Sequence, residues 1–162
     1  MKRILLTGCA GFIGANFLKK IALPQTSTQF VALDALTYAG CYSTIKKDIE
    51  EHRHLSFVQL DIRNRDEVDT LFKKERFDGV IHFAAESHVD NSIKNPNIFV
   101  ETNVLGTLNL LNAALKFGAP GIRFCHVSTD EVYGELSSDE PPFSENHQIA
   151  PNSPYSASKA GS

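Results

Sequence analysis

Cysteine is scarce in this chain of 162 residues. Cys9, Cys41 and Cys125 form an odd set with no close pairing, so they suggest neither a disulfide framework nor a zinc knuckle and read as reduced, structural residues; no metal site is expected. Long apolar runs are lacking too: after the positive start MKR comes only Ile4 to Leu6, far short of a signal-peptide core or a membrane span, and a cytoplasmic protein is expected. Basic charge is not concentrated. The 16 Lys and Arg residues are outnumbered by 19 Asp and Glu, for a formal charge of −3, and no stripe of them could neutralise a phosphate backbone. Nucleic acid and membrane are therefore not expected as partners. Solenoid repeats and low-complexity tracts are absent.

The 42% of hydrophobic residues suffices for one sizeable core, which predicts a single domain over residues 1–162. Five short apolar runs read as strands: RILLTG (3–8), FVALD (30–34), LSFVQLD (55–61), GVIHFAA (79–85) and IRFCHVST (122–129). Apolar on both faces, they suit a buried parallel sheet. Helical candidates lie near 12–22, 66–75 and 98–117. The last carries Val100, Val104, Leu108, Leu111 and Leu115 on one stripe, with Gly118 placed to end it. This alternation predicts an α/β fold, a doubly wound Rossmann-type parallel sheet with helices on both faces. The proline-rich segment from Leu136 to Pro154 reads as a long loop of the kind that often serves function.

The stretch TGCAGFIGANF follows the first strand and opens the first helix, with glycines at 8, 11 and 14. Side chains there would block a tight turn, the approach of backbone N–H groups to a pyrophosphate, or helix–strand contact. The flanking strand and helix make the pattern a dinucleotide signature, and Phe12 and Ile13 lie inside it. Asp34, twenty positions beyond Gly14, can accept hydrogen bonds from ribose hydroxyls and would repel a 2′-phosphate, which favours NAD over NADP. Asp61 could reach the adenine edge, and Phe83, Ala84 and Ala85 could line the nicotinamide side.

Thr129, Asp130 and Glu131 follow the fifth strand at the edge where open α/β sheets bind ligands. Two adjacent carboxylates repel each other, so their pairing calls for a reason. Further on, SPYSASKAGS offers Ser153 as an N-cap, Pro154 at the first helical position, and Tyr155 and Lys159 four residues apart on one helix face. An ammonium near a phenol lowers its pKa, which would make Tyr155 a base toward an alcohol. Hydride transfer combined with acid/base elimination is the chemistry such a set can perform.

The glycine motif, DALTYAG, AAESHVDNSI, ETNVLGT, STDEVYGE and YSASKAGS together resemble the extended short-chain dehydrogenase/reductase family, most of all its branch that removes water from dTDP-glucose in the rhamnose pathway. The resemblance implies that Tyr155 takes the C4 hydroxyl proton as hydride passes to NAD, that Thr129 bonds the C4 oxygen, and that Lys159 holds phenolate and ribose. It also implies Glu131 as base at C5 and Asp130 as acid toward the C6 hydroxyl. Thr37 and Ile62 stand at cofactor-contacting positions of the family, and Ser87 and Asn103 at positions near the substrate. Ala35 and Asn91 depart from the lysine and arginine common there. Relatives run on well past the point, three residues after Lys159, where this chain stops, so the substrate-binding region is expected to be missing, Tyr155 and Lys159 to lie on a marginal helix, and the chain alone to be inactive or weakly active. Self-association through the 98–117 helix is implied as well. A non-catalytic dinucleotide-binding module, or an epimerase or decarboxylase of the same superfamily, are the alternatives.

Overall fold

In the computed structural model, which describes residues 2–162, five parallel strands form one sheet in the order β3-β2-β1-β4-β5. These are β1 (Lys2–Thr7), β2 (Thr28–Asp34), β3 (Leu55–Gln59), β4 (Gly79–His82) and β5 (Arg123–His126). Along each strand, alternate residues feed opposite faces. Leu5, Val31, Leu33 and Val80 enter one core with Val68, Leu71 and Phe72 of α3 (Arg65–Glu75) and Leu110, Ala113 and Ala114 of α6 (Thr107–Phe117). Leu6, Phe30 and Ala32 enter the other, with Ala15 of α1 (Phe12–Phe17), Leu18 and Ala22 of the π-helix Leu18–Ala22 that continues it, and Ile45 of α2 (Ser43–Glu51). Burying each large apolar side chain stabilises by roughly 1.5–3 kcal/mol, so the sheet is held from both faces.

The strands β3, β4 and β5 stop short of their expected ends at Asp61, Ala85 and Thr129. The cause lies in register: Leu33, Thr7, His82 and His126 form one row across four strands, and β1 cannot continue because Gly8 turns with φ +68°. β4 and β5 end with β1, while β2 and β3 continue one pair further, with Asp34 opposite Gln59. Since β2 and β3 lie on one side of β1 and β4 and β5 on the other, the chain reverses its winding at β1/β4, where open sheets form a ligand crevice.

The chain divides into two compact units, one comprising the residues up to Ala84 with Asn109–Val127, the other Ala85–Leu108 with Ser128–Ser162. The first holds the sheet. The second holds α4 (Val89–Lys94), α5 (Pro96–Phe99), the π-helix Val100–Gly106, a single 3₁₀ turn (Asp130–Tyr133) and α7 (Pro154–Gly161).

The stripe of the long helix faces the opposite way from a core stripe. Val100, Leu108 and Leu115 are exposed, Val104 and Leu111 half-buried, while the buried side carries Phe99, Asn103, Gly106, Thr107, Leu110, Ala113 and Ala114. Wide π turns shift the side-chain phase, so a 3.6-residue count cannot follow the buried face through Val100–Gly106. By length and composition Pro96–Phe117 could cross a membrane; its buried face includes the polar Asn103 and Thr107. Of the cysteines only Cys9 is buried and structural; Cys41 and Cys125 are exposed. Burial pushes the Cys9 thiol pKa up, whereas hydrogen bonds from Ser43 and Thr44 lower that of Cys41.

Candidate active site

Within the sheet unit, the turn after β1 has three glycines with three different constraints. A Cβ on Gly8 would lie 2.6 Å from the Ala84 nitrogen, at a φ that L-residues rarely adopt; one on Gly14 would meet the Gly8 carbonyl and come within 2.8 Å of Cys9 Cα. Both are required by the protein's own backbone. Gly11 is not: its φ is −77°, and the nearest atom to its missing Cβ is 3.4 Å away. A bare backbone there leaves room for a ligand to approach the first turn of α1, which is what a pyrophosphate needs. Phe12 and Ile13 are exposed on that turn.

Asp34 is buried at the end of β2, and its carboxylate organises the neighbouring loop. One oxygen accepts the Ala10 N–H at 2.9 Å and the other the Leu36 N–H at 2.8 Å. The second bond holds Leu36 in a left-handed conformation (φ 56°), and Cys41 returns an N–H to the Ala10 carbonyl at 3.0 Å. Four acceptor positions on a carboxylate leave two for ribose hydroxyls. Thr37 is exposed on this loop, its carbonyl accepting the Gly40 N–H at 3.1 Å.

Asp61 lies beyond β3 and is clasped by its neighbour: the Arg63 guanidinium and backbone N–H, both at 2.9 Å, hold its carboxyl below the ordinary range. The Ile62 side chain lies in the core, so only its backbone can face a ligand. Phe83 packs on Phe17 at 5.4 Å, and the Ala84 N–H donates to the Thr7 hydroxyl at 3.2 Å, which is also 2.6 Å from His82 Nδ1. Thr7, missed by sequence reasoning, therefore fixes the segment leading to Ala85. A threonine closing an apolar strand was the available signal.

In the second unit, Thr129 caps the 3₁₀ turn, its hydroxyl accepting the Glu131 N–H at 3.3 Å. Buried Val132 anchors that turn, and the Val132 carbonyl accepts the Ala150 N–H at 3.0 Å, closing the long loop. Asp130 and Glu131 stay exposed, so water screens the repulsion between them. Tyr155 lies against this turn: Thr129 hydrogen-bonds its phenol, and the charges of Glu131 and Asp130 act on it. Burial nonetheless dominates and pushes the phenol pKa up, with the two carboxylates adding to the effect and the Thr129 bond opposing it. The expected lowering by Lys159 is not what the structure shows: burial and both carboxylates push the phenol up, and the Thr129 bond is what opposes them.

Helix α7 is formed despite its eight residues. Ser153 and Ser156 exchange hydrogen bonds in a capping box, each at 3.0 Å, and Pro154 opens the first turn. Tyr155, Ser156, Ser158 and Lys159 are buried, with the Tyr155 ring 6.4 Å from that of Phe99. Tertiary burial thus supplies what length does not. Desolvation lowers the Lys159 amine to about 8. Asn103 is fully buried, accepting the Glu86 N–H at 2.8 Å and donating to the Glu86 carbonyl at 2.9 Å and to Ser158 Oγ at 2.8 Å; Ser87 beside it is exposed. Such an amide positions its neighbours and has no donor left for a ligand.

Residues 5–162 match the family described as GDP-mannose 4,6 dehydratase. The chain belongs to that family. It is 44% identical over 169 residues to a dTDP-glucose 4,6-dehydratase of Neisseria meningitidis, covering 100% of this chain and 47% of that one, and 46% identical over 160 residues to one of Mycobacterium tuberculosis, covering 98% and 46%. A dTDP-glucose 4,6-dehydratase of Streptomyces venezuelae, crystallised with NAD, superposes with TM-score 0.87 at 44% identity, covering 98% of this chain and 48% of that one. A UDP-glucose 4-epimerase of Thermus thermophilus in complex with NAD superposes with TM-score 0.82 at 32% identity, covering 98% and 47%. The chain spans about half the length of the curated relatives it matches. Among the described residues no cluster of His, Cys, Asp and Glu is suited to hold a metal.

Proposed function

We propose that this chain carries the NAD-binding and elimination chemistry of a dTDP-glucose 4,6-dehydratase, which converts dTDP-glucose to dTDP-4-keto-6-deoxyglucose. The observation that carries the reading is Tyr155 set against Thr129, Asp130 and Glu131 on one turn. The glycine turn and Asp34 would hold the cofactor, with Thr37, Asp61, the Ile62 backbone, Phe83, Ala84 and Ala85 around it. NAD supplies a hydride acceptor at C4 and a donor at C6. Tyr155, aided by Lys159, accepts the C4 hydroxyl proton, and Thr129 steadies the C4 oxygen. Glu131 then removes the C5 proton while Asp130 protonates the departing C6 hydroxyl. A base and an acid must act on neighbouring carbons together, which gives the two adjacent carboxylates their reason.

Relatives that are 4-epimerases share the fold, and elimination separates the readings. Any product that forms from dTDP-glucose with NAD and the chain in D2O should show a C6 methyl group and deuterium at C5 in its proton spectrum. A product inverted at C4 without a methyl group, or absence of NAD binding by calorimetry, would refute the dehydratase reading.

The exposed Val100, Leu105, Leu108 and Leu115 further support a homodimer, because apolar area along one helix is covered most simply by the same helix of a second copy. The cytoplasm suits chemistry on a nucleotide sugar.

A further inference from the structure

The second unit contains a link between two segments that the proposed chemistry uses separately. Asn103, buried within the π-helix Val100–Gly106, closes a pair of hydrogen bonds with the backbone of Glu86, next to Ala85 and Ser87. Its remaining amide hydrogen goes to Ser158 Oγ at 2.8 Å, and Ser158 Oγ donates in turn to the Tyr155 carbonyl at 2.7 Å. Ser158 is itself buried, so its hydroxyl is committed on both sides. Behind it, Gly161 would bring a Cβ to 3.3 Å from Val104, which shows how closely the π-helix and α7 approach.

We infer that Ser158, gripped by Asn103, is a positioning residue that docks the Tyr155–Lys159 helix and ties it to the Glu86 segment. Its hydroxyl accepts from the π-helix and donates within its own helix to the Tyr155 carbonyl, a geometry that neither alanine nor an apolar residue can reproduce. Removing it leaves the Asn103 amide and the Tyr155 carbonyl without this bond in a buried place, which favours undocking of α7. The Lys159 amine then regains water. The inference rests on the proposed roles of Tyr155 and Lys159 only for its effect on rate; docking is measured without substrate or cofactor.

The test is competitive acylation of the whole chain across a pH range, with each lysine followed by mass spectrometry. Only the neutral amine reacts, so the midpoint for Lys159 reports its environment. In the wild type that midpoint should fall near about 8. In Ser158→Ala it should rise by more than about one pH unit, toward an ordinary lysine, while the exposed Lys46 and the far-ultraviolet spectrum stay unchanged. Asn103→Ala, which removes the bond to Ser158 together with both bonds to the Glu86 backbone, should move Lys159 the same way. A wild-type midpoint near that of Lys46, or a Lys159 midpoint unmoved in both variants, would overturn the inference. Failure of the dehydration assay alone would leave this result standing, which keeps the two proposals separable.

Discussion

The Ala10 backbone N–H donates to Asp34 Oδ2 at 2.9 Å, joining the glycine turn to the end of β2. With Leu36 bonded to the other oxygen, each carboxylate oxygen accepts one backbone donor. In Asp34→Asn one N–H must meet an amide NH2, which leaves a buried donor unpaired. We expect a loss of about 1–3 kcal/mol in denaturant unfolding, together with a smaller preference for NAD over NADP in calorimetric titration. An unchanged midpoint of unfolding would show that the loop does not depend on this acid.

The three glycines of the turn should separate by experiment. Gly8→Ala demands a left-handed conformation costing about 1–2 kcal/mol and a collision with Ala84, and Gly14→Ala a collision with Gly8, so both should lower the melting temperature without ligand. Gly11→Ala meets nothing closer than 3.4 Å and should melt like the wild type. Its NAD affinity should nonetheless fall by about tenfold, roughly 1.4 kcal/mol. Equal losses of stability in all three would refute a ligand-related role for Gly11.

The contrast shows what the amino-acid sequence made legible. Apolar runs marked five strands and glycine spacing marked the turn, because burial on both faces and backbone contact leave strong local signals. Helix α2 gave none: among STIKKDIEE only Ile45 is buried, and its surface is set by pairs such as Lys46–Glu50 at 3.8 Å. The strand ends depended on register with β1, and the commitment of Asn103 depended on Ser158, fifty-five positions away. Those are tertiary facts. The pKa of Tyr155 is a tertiary fact too, since a YxxxK spacing shows the neighbouring lysine but not the burial.

Lys159 predicts a pH dependence with a definite sign. Its folded value of about 8 lies below the ordinary 10.5, so the unfolded chain binds the extra proton between those limits and stability rises with pH across them. Below about 8 the full penalty applies. Lys159→Met should therefore unfold at higher denaturant than the wild type at pH 7, by at most about 3 kcal/mol, and the difference should shrink to nothing well above pH 10.5. A gap that is constant with pH would mean that burial of the amine carries no cost.

The exposed stripe on the long helix predicts a solution behaviour. Leu108 is 49% and Leu105 50% exposed, and neither contributes to the core. Changing both to glutamate should leave the circular-dichroism spectrum intact while converting a dimer to a monomer by size-exclusion with light scattering. A wild-type chain that is monomeric at high concentration would sink the dimer.

Glu131 supplies the most direct chemical test. Its carboxylate is exposed, and its backbone N–H, held by Thr129, does not depend on the side-chain charge. Glu131→Gln should keep the turn and the NAD titration unchanged, but remove the proposed base at C5, lowering dehydration by about 10²–10⁴-fold. A second consequence follows from electrostatics. The Glu131 charge raises the pKa of Tyr155, so neutralising it should move the phenol's titration toward lower pH, readable as tyrosinate absorbance against a Tyr155→Phe reference. Loss of elimination with a downward shift of Tyr155 places Glu131 beside the phenol as a working base. Full activity in the variant would transfer that role away from Glu131, whatever the tyrosine does.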